Sequence, residues 1–423
     1  MSGGRIDVRI GDRVVGELRV EPDGDYRFTY REGVNDDLAV SLVMPTRERS
    51  LKTQVVPPPF AQHLPEGVLR EYLLNAVRKS AVRDLHDPGA SDELRLMHLV
   101  GNHLVGRVRI GEPVGETPDA LDMGQAAGDL PPEASVRFLE ECLDRFAVRS
   151  GISGVQPKVL ADGRPEQRTT LVFDRAVLKF EPADYPGLAV NEFFCLEAAR
   201  QSGLDTVECE LSGDGRRLIL DRFDRDAGGS PLGHEDFCAL SFLPPNGKYN
   251  GDYRDLVHVV DQYLPAPRRI AARSDMFTLI AVSMMIGNGD AHLKNFGVLY
   301  DDPTGEVRLA PAYDLVCTTV YLPRDLPALS VDGDKRWPDR DVLVRLGRAF
   351  GLRPREAGRL IDRAAHGVRA AGEGLLEYAR EHPGRQELAE RVVRRFNRGL
   401  AHCGGESVAP VGTMPAEGAP QPR

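Results

Sequence analysis

The chain has 423 residues, a formal net charge of −10, and apolar and charged fractions of 41% and 28%. That length supports two or three domains with sizeable cores, and the composition is that of an ordinary globular protein. The acidic balance and the lack of a long Lys/Arg run argue against a large nucleic-acid-binding face but leave room for a local basic patch.

The N-terminal stretch "RIDVRIGDRVVGELRV" holds two alternating apolar–polar runs around Gly11-Asp12, which predicts a β-hairpin. It has no apolar signal-peptide core. "DYRFTYREG" continues the alternation. "PEGVLREYLLNAVRKSA" places Val68, Leu69, Tyr72, Leu73 and Val77 at helical spacing, with Pro65 suited to the first turn. "LRLMHLVGNHLVGRVRIG" predicts a helix and then a strand. Residues 1–110 therefore form an expected β-rich domain. Residues 111–135 are rich in Gly, Pro and acids, and predict a linker or mobile loop.

Residues 136–235 predict a small lobe. Its Gly-rich turn leads to short strands ending in "AVLKFEP". The helix "LAVNEFFCLEAARQSGL" follows and stops at Gly203. A hairpin then turns at Gly213-Asp214-Gly215 and ends in "LILDRFDR". Residues 236–403 are mainly amphipathic helix. The longest apolar run, Met276 to Ile286, is too short to span a bilayer. Residues 404–423 predict a disordered tail. The six cysteines form no CxxC and read as reduced thiols in a cytoplasm, with no membrane association.

The chemistry gathers in "IGNGDAHLKNFGVLYDDPTGEVRLAPAYDLV". Asp290 and Asn295 have the D-x-x-x-x-N spacing of a kinase catalytic loop. At that spacing the Asp reaches a substrate hydroxyl and the Asn turns to a metal ion on the phosphates. Asp314, beyond an expected hairpin, supplies a second metal ligand. The alternative for Asp290 is an ordinary loop carboxylate capping a turn. His292 is a general base by residue type, but Asp290 already fills that role, which leaves His292 to loop architecture.

A phosphate site needs donors. "SGISGVQPK" offers Gly151 and Gly154 with small residues between, either an anion-binding nest or a flexible turn. It is neither a P-loop nor GxGxxG. Lys179 lies among apolar residues on a short strand, facing either a cleft or water. A cleft lysine binds the α- and β-phosphates and needs a helix carboxylate; Glu192 is the candidate. Asp221 and Phe223 end an apolar strand where backbone groups between lobes can read a nucleotide base; charges that merely close the strand are the plainer alternative. There is no HExxH and no G-x-S-x-G. Trp337 and the scattered aromatics offer no base-stacking platform.

The segments "SGISGVQPK", "VLKFEP", "NEFFCLEAAR", "LDRFDR", "EDFCAL", "NGDAHLKNFGVLY" and "LAPAYDLV" occur in the order seen in HipA-family toxin kinases. "GELR" and "FAQHLPEG" resemble that family's N-terminal domain, so the resemblance covers nearly the whole chain up to the tail. It implies an α+β, two-lobed protein-kinase-like fold with a β-rich N-terminal HipA-type domain and a mainly helical C-terminal lobe. It also implies a bacterial serine/threonine kinase using ATP and Mg2+, the toxin of a type II toxin–antitoxin pair. Its partner would be a small helix-turn-helix antitoxin, HipB-like, through which it meets operator DNA indirectly. Family targets are aminoacyl-tRNA synthetases, whose phosphorylation slows translation.

Position by position, the resemblance implies Asp290 as catalytic residue and Asn295 and Asp314 as Mg2+ ligands. Lys179 contacts the ATP phosphates, and the phosphate loop is Gly151, Ile152, Ser153, Gly154, Val155 and Lys158. That loop also carries the self-phosphorylated serine, a possible off switch. Many members have Ser-Ile-Ser where this chain has Gly151-Ile152-Ser153. Ser153 fits the second serine, and Ser150 is the alternative. Two other readings stay open: a small-molecule phosphotransferase, and a catalytically silent co-repressor bound to an antitoxin. The intact Asp290, Asn295, Asp314 and Lys179 argue against the silent form.

Overall fold

Gly11, at φ +56°, turns the chain between strands Arg5–Ile10 and Arg13–Val20, as the alternation predicts. The computed structural model describes residues 4–79, 89–101, 104–111, 123–149, 170–173 and 175–408. The hairpin is the middle of a five-stranded antiparallel sheet, in the order Ser50–Thr53, Tyr26–Tyr30, Arg13–Val20, Arg5–Ile10, Val108–Ile110. Val8, Val15, Leu18 and Phe28 point inward and are fully buried, as one face of a pleated sheet requires. They share a core with Leu73 of helix Gly67–Lys79 and Leu96 and Met97 of helix Asp92–Val100. The latter helix starts where the Ser91 hydroxyl accepts the Leu94 N–H at 3.2 Å, a serine N-cap.

The small lobe is a four-stranded antiparallel sheet, ordered Thr170–Val172, Ala176–Phe180, Arg217–Asp221, Cys209–Leu211. Alternation decides its two faces. Ala176, Leu178 and Phe180 join the core of the N-terminal sheet, together with Phe138 and Cys142 of helix Pro132–Arg149. Lys179 lies on the opposite face. The N-terminal domain and the small lobe are therefore packed through one shared core.

Two expected segment types differ from the structure. Residues 123–135 are packed rather than loose. The buried Arg217 guanidinium donates to Ala126 O at 2.9 Å, Gly128 O at 2.7 Å and Ser135 Oγ at 2.8 Å, and pairs with Asp214 at 3.0 Å. One buried cation anchors a segment whose composition reads as linker; residues 112–122 of that stretch lie outside the described residues. The described start of the expected tail is packed as well. Val408 is buried and donates its N–H to Asn397 Oδ1 at 2.7 Å, and residues 409–423 lie outside the described residues.

Helix Leu188–Gln201 docks into the core of the helical lobe, against Pro354–Glu381. Helices Ala266–Ile286, Arg340–Ala349 and Gln386–Cys403 complete that lobe. At Gly399 a Cβ would press on the Met285 backbone, so glycine is what lets the last helix lie against Ala266–Ile286. A small sheet of Gly233–Asp236, Gly297–Tyr300 and Arg308–Leu309 closes the lobe under the polar segment. No described helix is long and apolar enough to cross a membrane.

Candidate active site

Helix Ala266–Ile286 ends at Gly287, whose left-handed φ of +76° turns the chain out of the helix. The polar segment that follows is folded onto itself. The Asp290 N–H donates to Asn288 Oδ1 at 3.0 Å. The His292 N–H donates to Asp290 O at 2.8 Å and to Asn295 Oδ1 at 3.1 Å. Gly289 donates its N–H to Thr318 Oγ1 at 2.8 Å, and a side chain there would collide with the Asp325 carboxylate. The Asn-Gly-Asp sequence is thus the one that makes this turn and leaves Asp290 at its edge.

The hairpin Gly297–Tyr300/Arg308–Leu309 brings the chain back to Asp314. Asp314 has φ +61°, a left-handed conformation rare for a residue with a Cβ and concentrated at functional sites. Tyr313 before it is held twice: its hydroxyl donates to Lys294 O at 2.9 Å, and its ring stacks on Phe223 at 5.3 Å and 11°.

These pieces meet in one chain of charged contacts. Lys179 Nζ lies 2.6 Å from Glu192 Oε1 and 2.8 Å from Asp314 Oδ1. Asn295 Nδ2 donates to the other Asp314 oxygen at 3.2 Å. Glu192 is fully buried, while 41% of the Asp314 side chain is exposed. One lysine thus ties the small lobe to a buried helix carboxylate and to an accessible carboxylate of the helical lobe. Helix Leu188–Gln201 is locked to the Asp314 segment by Asn191 as well. Its amide accepts the Cys317 N–H at 2.9 Å and donates to Cys317 O at 3.1 Å.

A divalent cation fits this donor set. Asp314 would supply an oxygen ligand, and the Asn295 amide would supply a second by turning toward the site the oxygen that now accepts the His292 N–H. Mg2+ is commonly held by one or two protein carboxylates plus substrate phosphates. Among the described residues no group of three or more His, Cys, Asp and Glu side chains is arranged to hold a metal by itself. The remaining ligands would come from the nucleotide and water.

The structure adds residues that sequence reasoning did not single out. The Tyr249 hydroxyl donates to Asp290 Oδ1 at 2.9 Å, and its ring meets His292 edge-on at 5.1 Å. Glu66, from the N-terminal domain, bridges Lys294 at 2.5 Å and Lys248 at 2.9 Å. Desolvation raises its pKa, but the two ammonium groups outweigh that and bring it down to about 2. Glu235, buried, accepts from Ser41 Oγ at 2.5 Å, Leu42 N at 2.8 Å and Tyr300 Oη at 2.7 Å. The N-terminal domain therefore braces the segment between Asp290 and Asn295. The only hint in the sequence was the "FAQHLPEG" stretch that contains Glu66, and it gave no pointer to Lys294.

Phe223 sits beside Tyr313 as described, and Asp221 is exposed at the end of its strand, its N–H bonded to Glu208 O at 2.9 Å. The expected phosphate loop, with Ser150, Gly151, Ile152, Ser153, Gly154, Val155 and Lys158, lies outside the described residues. His292 is 5% exposed, and burial, helped by Lys248, pushes its pKa down to about 3. Its imidazole stays neutral at pH 7, in line with an architectural part. In an NMR titration its ring signals should not move between pH 5 and 8. A midpoint near the ordinary histidine value of about 6.5 would contradict that burial.

Residues 6–111 match the HipA N-terminal domain and residues 150–371 the HipA-like C-terminal domain. The chain belongs to the HipA family. Two provisionally named kinases of Sinorhizobium fredii are similar to it. Y4dM is 29% identical over 81% of this chain and 84% of that protein. Y4mE is 30% identical over 73% of this chain and 76% of that protein. A HipA of Shewanella oneidensis, solved with HipB and operator DNA, superposes with a TM-score of 0.66 at 19% identity, over 94% of this chain and 97% of that one. The HipA fold, a sheet-rich N-terminal region followed by a mainly helical C-terminal region, is thereby the fold of this chain.

Proposed function

We propose that this HipA-family chain is an ATP- and Mg2+-dependent serine/threonine protein kinase. The observation that carries the reading is Lys179 held between Glu192 and Asp314, with Asn295 on the second Asp314 oxygen. A lysine fixed by a helix carboxylate is what the α- and β-phosphates need, and Asp314 with Asn295 would hold the Mg2+ that neutralises developing charge. Asp290, at the edge of the same loop, would accept the proton of the attacking hydroxyl. The Gly151–Lys158 loop would cradle the phosphates, and the backbone near Asp221 and Phe223 would meet the base.

The family further supports a cytoplasmic toxin partnered by a HipB-like helix-turn-helix antitoxin, as in the Shewanella complex. Its substrate would be a protein of the translation apparatus, of the aminoacyl-tRNA synthetase kind. Self-phosphorylation of Ser153, or of Ser150, would add nearly two negative charges beside the triphosphate and expel it. Incubation with γ-labelled ATP and a cell lysate tests the activity. Label in discrete protein bands is the expected result. Label only in small molecules indicates a metabolite phosphotransferase, and no transfer by folded, nucleotide-bound protein indicates a binding role. Peptide mass spectrometry of the product locates the loop phosphate.

The Tyr249 hydroxyl already occupies the hydrogen-bonding position on Asp290 that an acceptor hydroxyl must take. A neutral hydrogen bond contributes about 0.5–1.5 kcal/mol. Tyr249→Phe should therefore lower KM for the protein substrate by up to about tenfold and leave kcat within a factor of two or so. A higher KM would mean that the phenol helps the acceptor bind.

A further inference from the structure

A cavity of about 360 Å3 lies between the Thr319–Pro323 segment, Trp337 and the last helix. Four arginines of that helix line it: Arg391, Arg394, Arg395 and Arg398. Their spacing places them on adjacent turns of one helix. Among the described residues not one Asp or Glu lines the cavity, although the chain has 64 acidic residues against 54 Lys and Arg. No described carboxylate forms a salt bridge with any of the four.

Two of them form the frame. Arg395 donates to Met285 O at 3.1 Å and Met284 O at 3.3 Å, and its guanidinium carbon lies 4.8 Å from the Trp337 ring centroid. Arg391 donates to Val320 O. Arg394 and Arg398 are exposed and make no side-chain hydrogen bond with a described residue. Concentrating four like charges without carboxylates costs self-repulsion, and an anion relieves it. Guanidinium forks match the oxygens of a phosphate. The walls, Met284, Val320, Pro323 and Pro338, are apolar and concave, as in small-molecule sites of this volume, whereas a duplex asks for an extended basic stripe.

We propose that this cavity binds a small phosphate-bearing anion of roughly mononucleotide size, separate from the Lys179–Asp314 cleft. Arg394 and Arg398 hold the phosphate, and Arg391 and Arg395 fix the floor. The carbonyls that hold the floor belong to the chain entering the Asn288–Asp290 turn and the chain leaving Asp314. The pocket is therefore built on the same frame as the candidate active site. The proposal does not rest on phosphotransfer, because binding is read without activity.

Trp337 is the chain's single tryptophan, so intrinsic fluorescence reports on this cavity. The full chain would be titrated with sodium tripolyphosphate and with ADP at constant ionic strength. The expected result is a saturable change in emission whose midpoint rises at least tenfold in Arg394→Gln/Arg398→Gln. Circular dichroism and Tm of that variant should match the parent, since neither side chain is hydrogen-bonded to a described residue. Arg394→Glu/Arg398→Glu, tested in the same way, should remove the response. No saturable change in the parent, or an equal midpoint in the variants, overturns the proposal. So does a short DNA duplex that binds more tightly than both small anions and is lost in the same variants, which assigns the face to nucleic acid.

Discussion

Asp290→Asn should slow phosphoryl transfer by about 10^2–10^4-fold while ATP affinity stays within a few-fold. The turn does not depend on the carboxylate. It is held by the Asp290 N–H on Asn288 and the Asp290 carbonyl accepting from His292. Asn has nearly the same volume, and its amide oxygen can still accept from Tyr249. What the change removes is a carboxylate able to take the acceptor's proton. The Lys179–Glu192–Asp314 contacts that would hold the nucleotide are untouched. Initial rates with γ-labelled ATP and calorimetric ATP titration of both proteins check the two halves. Transfer at the parent's rate would remove Asp290 from the chemistry, and lost ATP binding with lost transfer would show only a damaged site.

The site was legible in the sequence where its spacing is local. Asn288 to Asn295 form one turn after a helix, so chain order alone sets which groups face which. Lys179 was half legible: strand alternation opposes it to Leu178 and Phe180, but the sequence left it facing either a cleft or water. Glu192 was legible because the helix after a short strand must return over it. The bracing was not. Glu66 reaches Lys294 across 228 residues of sequence, and nothing in "HLPEG" marks that glutamate as an active-site neighbour. Tyr249 sits in a Pro-Asn-Gly-rich stretch that reads as an ordinary turn. Residues 123–135 read as linker because composition registers Gly, Pro and acids, whereas the segment is fixed by Arg217, whose own setting on strand Arg217–Asp221 looks like a surface hairpin. Positive φ at Asp314 is invisible to periodicity altogether.

Asp224→Ala should destabilise the protein by about 3–5 kcal/mol, the usual cost of stranding a buried charge. Asp224 is 1% and Arg222 8% exposed. The carboxylate accepts from Arg222 Nε at 2.6 Å and Nη2 at 2.5 Å, from the Gly106 N–H at 2.6 Å and from Arg225 at 2.9 Å. Arg222 then reaches on to Phe173 O at 2.9 Å and Leu104 O at 3.0 Å. This ion pair thus joins the small-lobe sheet to the last strand region of the N-terminal domain, and truncation leaves the buried Arg222 charge without its carboxylate and the Gly106 N–H without that acceptor. Burial pushes the Asp224 pKa up, but the Arg222 hydrogen bonds and charge outweigh it and the net shift is downward. The sign follows: the contribution is complete above the unfolded carboxylate value of about 3.9 and fades as pH falls through the lower folded value. Urea unfolding at pH 7, followed by circular dichroism and by Trp337 emission, measures the loss. The circular dichroism transition should move to lower urea and precede that of Trp337, which reports only on the helical lobe. Coincident transitions at the parent's midpoint would show that the Arg222–Asp224 pair does not join the two units.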